Sequence, residues 1–152
     1  HCKMKTKIIL NKKEILLEDS SQQLILEFFD LLQKDLRKLI MNDDGGEKFK
    51  NKLKEFDVSE DKEFGGEWCF IINEKSRSLI DEVLRHYIEK QWGHFRYSLV
   101  GEDFKISFEE VGDELVFPEY AEDGIVGLFN IEAKGKNLEL IESLLEKNVL
   151  KE

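Results

Sequence analysis

The spacing of apolar residues in the first third of the chain changes from strand-like to helical. Two short apolar segments, residues 6–10 and 14–17, flank the polar residues 11–13, and this arrangement predicts a β-hairpin. Apolar residues then recur every three or four positions, which predicts an amphipathic helix over residues 21–41. Ser20 and Gln23 have the spacing of a capping box at its start.

The middle of the chain combines short helical patterns with one strongly apolar strand. Residues 42–46, Asn-Asp-Asp-Gly-Gly, are predicted to end the first helix, and a shorter helix is predicted over residues 47–56. Residues 57–66 are polar and are predicted to form a loop. Residues 67–72 are apolar at both alternating positions, as in a strand that is buried on both faces. Helical spacing returns over residues 76–92, with Gly93 as its C-cap.

The last third of the chain reads as a series of strands followed by one helix. Aromatic and aliphatic residues alternate with polar residues in four segments that predict strands: residues 94–100, 104–108, 115–117 and 125–132. Pro118 fits the end of a strand. Asn137 is predicted to cap a final helix whose buried residues are Leu138, Ile141, Leu144 and Leu145.

Together these patterns predict an α+β fold with the element order β-β-α-α-β-α-β-β-β-β-α. Short turns join the later strands, so they are expected to pair antiparallel in a sheet whose helices pack on one face. Residues 4–152 are expected to form a single domain, because no linker or repeat divides them. Residues 1–3 precede the first methionine and are expected to be artificial additions without a function.

Composition narrows the class of protein. The chain has 152 residues, 41% of them hydrophobic, and a formal net charge of −10, so a folded acidic protein is expected. This balance disfavours binding to nucleic acid or to an anionic membrane surface. Neither a membrane-spanning apolar run nor a signal peptide is apparent. Cys2 and Cys69 do not make a disulfide framework, so a reducing, cytoplasmic location is expected.

Nearly all of the net charge falls in residues 101–123, which hold nine acids and one base, Lys105, for a net charge of −8. The acids are Glu102, Asp103, Glu109, Glu110, Asp113, Glu114, Glu119, Glu122 and Asp123. A surface of one sign attracts a partner of the other sign and speeds its encounter, so these residues are the candidate contact surface. Tyr120 lies among them and is the candidate anchor, with Trp92 as a second choice. The structural alternative is a set of solvated turns.

Other combinations of residues are weaker candidates for chemistry. The acids lack the spacing of a calcium loop, and neither a metal nor a cofactor is predicted. Glu82 and His86 share a helix face, but such pairs are also ordinary helix-surface contacts. Cys69 stands between Trp68 and Phe70 and reads as a small buried residue. His94 and Arg96 alternate with aromatic residues, which is typical of a strand with one solvated face.

A small, acidic α+β domain with one concentrated acid segment resembles the bacterial immunity proteins of contact-dependent inhibition and other polymorphic-toxin systems. The resemblance is to the class as a whole and to no motif. It implies a cytoplasmic protein that binds and neutralises a basic toxin domain, such as a nuclease. Two alternatives stay open: a small enzyme whose site combines Cys69, Glu82, His86 and His94, or a ligand-binding domain of a larger system.

Overall fold

The computed structural model describes residues 5–18, 21–54, 60–62, 67–90, 96–110 and 125–147. In chain order its elements are β1 Lys5–Leu10, β2 Lys13–Glu18, α1 Ser21–Leu32, β3 Leu36–Met41, α2 Asp43–Leu53, β4 Glu60–Lys62, β5 Trp68–Ile71, α3 Arg77–Lys90, β6 Arg96–Gly101, β7 Phe104–Glu110, β8 Ile125–Ala133 and α4 Gly135–Glu146. The strands form one sheet in the order β2-β1-β8-β7-β6-β3-β5-β4. Among these described neighbours, β1 and β8 are parallel and the other six pairs are antiparallel. The predicted α+β class is confirmed.

The helices pack on one face of the sheet through aromatic contacts. Phe28 of α1 meets Phe129 of β8 with ring centroids 5.5 Å apart. Tyr87 of α3 meets Tyr97 of β6 at 6.0 Å. We call this the helix face and the opposite one the outer face. The predicted alternation in β6 and β7 is confirmed, because the core residues of these strands are all buried: Tyr97, Leu99, Phe104, Ile106 and Phe108.

The predicted hairpin at the start of the chain is confirmed by the register of β1 and β2. Asn11 and Lys12 form its two-residue turn with φ of 46° and 74°, the positive values that a type I′ turn requires. The Asn11 side chain also joins the turn to β8. Its Nδ2 donates to the Ala133 carbonyl at 2.9 Å, and its Oδ1 accepts from the Ala133 N–H at 3.0 Å.

Replacing Lys12 with glycine is expected to stabilise the protein by about 1 kcal/mol, because Lys12 occupies a left-handed conformation that a Cβ disfavours. The free energy of unfolding, measured by urea denaturation, tests this. Lys13→Gly is the matched control. It places glycine one residue further on, inside β2, where the same change is expected to destabilise. Equal effects of the two substitutions would contradict the assigned turn.

The prediction that the first helix runs to residue 41 is wrong. Helix α1 ends at Leu32, and β3 follows after a three-residue turn. Arg77 from α3 stabilises this ending, since its guanidinium donates to the carbonyls of Gln33 and Leu36. A register shift between Leu36 and Lys38 breaks the strict alternation of β3, and its apolar spacing therefore imitates a helix.

Two other segments also differ from their predictions. Residues 42–46 start a helix instead of ending one: Gly46 donates its N–H to the Asn42 carbonyl at 2.6 Å, and α2 begins at Asp43. An acidic first turn suits the positive end of a helix, so the polar run is compatible with either role. The predicted loop over residues 57–66 contains β4, which pairs with β5.

Asn137 does not cap the last helix, because α4 begins at Gly135 and its N-cap is Lys134. Asn137 instead lies within the first turn of α4. Its side chain is buried, and its Nδ2 donates to Asp35 Oδ2 at 3.2 Å. An asparagine near a helix start is thus used here for a tertiary contact. The helix predicted over residues 76–92 is confirmed, since α3 spans Arg77–Lys90. The predicted strand over residues 115–117, Pro118 and Gly93 lie outside the described residues.

Candidate functional site

The structure describes four of the ten predicted contact residues. Glu102 and Asp103 form the turn between β6 and β7, where Glu102 is exposed and Asp103 half-buried. Glu109 and Glu110 are the last two residues of β7. The remaining six lie outside the described residues: Asp113, Glu114, Glu119, Tyr120, Glu122 and Asp123.

The two described pairs lie at opposite ends of β7. A strand advances about 3.4 Å per residue, so the seven residues of β7 hold the pairs roughly 20 Å apart. Exposed charges are largely screened beyond about 8 Å at physiological ionic strength. The fields of the two pairs therefore do not add, and Glu102 and Asp103 act separately from Glu109 and Glu110.

Most of the acids follow the far end of β7 in the sequence. Strands β7 and β8 are antiparallel, and Glu110 pairs with Gly127. The end of β7 and the start of β8 thus lie at the same end of the sheet, and the sequence between them, residues 111–124, holds five acids and no base. We call the following seven residues the β7–β8 acid group: Glu109, Glu110, Asp113, Glu114, Glu119, Glu122 and Asp123. Glu102 and Asp103 are the β6–β7 turn pair.

Within the β7–β8 acid group, Glu109 has a described partner. Its Oε1 lies 3.2 Å from the Arg96 guanidinium on the adjacent strand, and the two side chains are 38% and 59% exposed. Such an exposed pair contributes about 0–1 kcal/mol to stability. Arg96 offsets part of the local charge without burying the carboxylate, so Glu109 stays accessible to a partner.

The β6–β7 turn pair also has a structural role, because the turn is hydrogen-bonded to the segment that precedes α4. The Asp103 carbonyl accepts from the Lys134 N–H at 3.0 Å, which joins the turn to the start of α4. A carboxylate near the start of a helix is favoured by the helix dipole. An open concavity of about 550 Å³ adjoins the turn, and its lining includes Glu132 together with the bases Lys105 and Lys134. Bases and acids alternate here, so this end has no strong single-sign field.

The outer face of the central strands carries polar residues that sequence reasoning did not single out. Ser98 and Ser107 lie opposite each other on β6 and β7 with their hydroxyl oxygens 3.2 Å apart, and Asn130 follows on β8. They line a concavity of about 420 Å³. The signal was present in the sequence, because both serines alternate with the buried aromatics of their strands.

Cys69 and His86 lie on opposite sides of the sheet. Cys69 pairs with Ile40 in the register, between Trp68 and Phe70, which point to the helix face, so Cys69 points to the outer face. His86 belongs to α3 on the helix face. Cys69 is only 2% exposed. A Cys69–His86 catalytic pair is therefore incompatible with this fold.

Helix α3 uses its charged residues for packing against α1. Arg85 meets Asp81 at 3.1 Å, one helical turn away, and Asp30 of α1 at 2.6 Å. The hydrogen bonds to Asp30 and Asp81 raise the pKa of Arg85 above its ordinary value. Glu82 is exposed and His86 half-buried on the same helix, while His94 and Trp92 lie outside the described residues. In the part of the chain that is described, no three His, Cys, Asp or Glu side chains cluster as metal ligands.

Comparison with known proteins gives no relative: no family model, no curated protein and no solved structure matches this chain. Of the helices that the structure describes, none is both long and apolar enough to cross a membrane.

Proposed function

We propose that this chain is a protein-binding module that neutralises a basic protein toxin, as immunity proteins do, and that the β7–β8 acid group is its contact surface. The observation that supports the proposal most is the placement of charge. Glu109 and Glu110 end β7 at the end of the sheet where β8 begins, the sequence between the two strands adds five acids and no base, and Arg96 pairs with Glu109.

A surface of this kind acts mainly before contact. Each exposed ion pair contributes only about 0–1 kcal/mol, so no single carboxylate is expected to determine affinity. The summed field of several acids attracts a cationic partner and raises the association rate about 10- to 1000-fold. On a nuclease toxin, the carboxylates would form ion pairs with the lysine and arginine side chains that otherwise bind phosphate.

The experiment uses the partner that co-purifies with the tagged chain from its native cells. We expect Lys replacement of Glu109, Glu110, Asp113 and Glu114 together to slow association about 10- to 100-fold at low salt and to flatten its salt dependence. Stopped-flow or surface-plasmon kinetics between low and physiological salt measure this.

A matched control reverses four exposed acids elsewhere: Glu102, Glu132, Glu139 and Glu142. This control changes the net charge by the same amount at the other end of the sheet and on α4, so association is expected to slow much less. Equal slowing by both variants would mean that only net charge matters. If the affinity of the wild-type chain does not change with salt concentration, the β7–β8 acid group does not attract the partner electrostatically and the proposal is refuted.

Tyr120 is expected to act after contact. Aromatic residues in desolvated pockets dominate binding energy, and Tyr120 is the aromatic residue among the acids of residues 119–123. Tyr120→Ala is expected to raise the dissociation rate about 30-fold, equivalent to about 2 kcal/mol, with little change in the association rate. Tyr120→Phe is the control and should retain most of the affinity. A Tyr120→Ala variant with unchanged dissociation would exclude the anchor role.

A further inference from the structure

Strand β2 is one edge of the sheet, and its six residues pair with β1 in a regular register without a shift. The other edge, β4, has only three residues. Natural proteins protect long, regular edges because their backbone groups are ready to pair with another chain. Among the described residues, no strand pairs with the outward side of β2.

The register shows which backbone groups of β2 point outward. The hairpin closes on the pair Leu10–Lys13, so hydrogen bonds to β1 fall on Lys13 and on every second residue after it. The N–H and C=O groups of Glu14 and Leu16 therefore point away from the sheet. These residues also have accessible side chains: Leu16 is 40% exposed and the Glu14 side chain 64%.

We propose that β2 accepts an extended, cationic segment of the partner as an added strand. Main-chain hydrogen bonds to an exposed edge supply affinity in this mode, and alternate side chains supply specificity. On the outer face, a basic residue of the added strand would meet Glu14 and an apolar residue would cover Leu16. Lys7 already contacts Glu14 Oε1 at 2.9 Å, but a carboxylate accepts more than one donor.

The location of β2 is consistent with the proposed function, on which this inference rests. Lys5 of β1 pairs with Glu18 on one side and with Ile125 on the other. The end of β2 thus lies at the same end of the sheet as the attachment of the β7–β8 acid group. Three strand spacings separate β2 from β7, roughly 15 Å. A partner attracted by the acids would arrive beside this edge.

A synthetic hexapeptide, acetyl-Lys-Thr-Val-Thr-Lys-Thr-amide, is the probe for the edge, because its lysines and its valine alternate along one face of the added strand, as Glu14 and Leu16 do along β2. We expect the peptide to slow amide exchange at Glu14 and Leu16, whose N–H groups point outward, and to leave β4 unchanged, as measured by NMR on the full chain. The same peptide with Glu in place of Lys is the charge control and should give less protection. Protection that is absent from β2 would overturn the proposal.

Variants at Leu16 separate the backbone from the side chain. Leu16→Pro removes an outward N–H while leaving the hydrogen bonds to β1, and should weaken peptide binding about tenfold. Leu16→Thr keeps the N–H and should weaken it less. Equal affinity of the proline variant and wild type, with unchanged thermal unfolding, would overturn the proposal. If the proline variant fails to fold, the exchange measurement on the wild-type chain decides.

The co-purified partner distinguishes this inference from the proposed function. If Leu16→Pro binds the partner normally while reversal of the acids slows association, the contact surface is supported and strand addition is overturned. If affinity for the partner ignores salt while Leu16→Pro still weakens it, the charge-based function fails and the edge site stands. A chain that dimerises through β2 in light scattering, with protection at Glu14 and Leu16 at high concentration, would assign the edge to a second copy and overturn the proposal.

Discussion

Gly101→Ala is expected to destabilise the protein by about 3 kcal/mol, because the added methyl group has no room. A Cβ at this position would lie 2.3 Å from the Phe104 ring and 2.6 Å from the Asp35 carbonyl oxygen. Phe104 is buried, and the carbonyl belongs to the backbone of the turn between α1 and β3, so neither can move away at low cost. Urea denaturation followed by Trp fluorescence measures the change.

Gly135→Ala is the control for Gly101→Ala, because it separates backbone strain from steric overlap. Gly135 has a φ of +65°, which disfavours a side chain, but the nearest atom to its Cβ is 3.6 Å away. Conformational strain alone should therefore cost about 1 kcal/mol. A Gly101→Ala variant as stable as Gly135→Ala would show that β6 and the α1–β3 turn do not approach as closely as described.

Phe129→Ala is expected to lower the free energy of unfolding by about 4 kcal/mol, through lost burial and the cavity left behind. Phe129 is fully buried on β8 and joins two parts of the core. Its ring lies 5.5 Å from Phe28 of α1 and 4.6 Å from Phe108 of β7, measured between centroids. The substitution thus removes contacts both within the sheet and between the sheet and the helix layer.

Leu128→Ala is the matched control for Phe129→Ala, since it changes the adjacent residue of the same strand. Leu128 is half-buried and lines the outer-face concavity, so the loss should be about 1 kcal/mol. Denaturation of both variants in urea tests the difference. Similar losses for the two would mean that the helix layer does not cover β8 as the aromatic contacts indicate.

The local pattern was sufficient wherever one face of an element is buried and the other is not. Tyr97 and Phe108 alternate with serines, and this period of two identifies strands and their core face without knowledge of their neighbours. Helix α3 likewise shows a clear helical stripe. Asn11 and Lys12 mark a turn because they separate two apolar segments.

The pattern was insufficient where the tertiary structure decides between two local solutions. Residues 36–41 have apolar spacing that fits a helix and also a strand with a register shift, and pairing of β3 with β5 and β6 selects the strand. Asparagine is a common capping residue, but the Asn137 side chain donates instead to Asp35, which is distant in sequence. Such partners are separated by many residues and cannot be read from a local period.

For the candidate site, the sequence determined the amount of charge, and the tertiary structure determined how far apart the four described acids lie. Nine acids in 23 residues are visible in the sequence alone. Strand β7 then holds Glu102 and Glu109 at opposite ends, while the antiparallel pairing of β7 with β8 places the start of β8 at the end that carries Glu109. Salt screens the field of an exposed charge within a few ångströms, so only carboxylates that are close in the folded structure contribute to one field. Separation in sequence does not determine the distance between two carboxylates, because an extended strand holds residues apart and a turn brings them together.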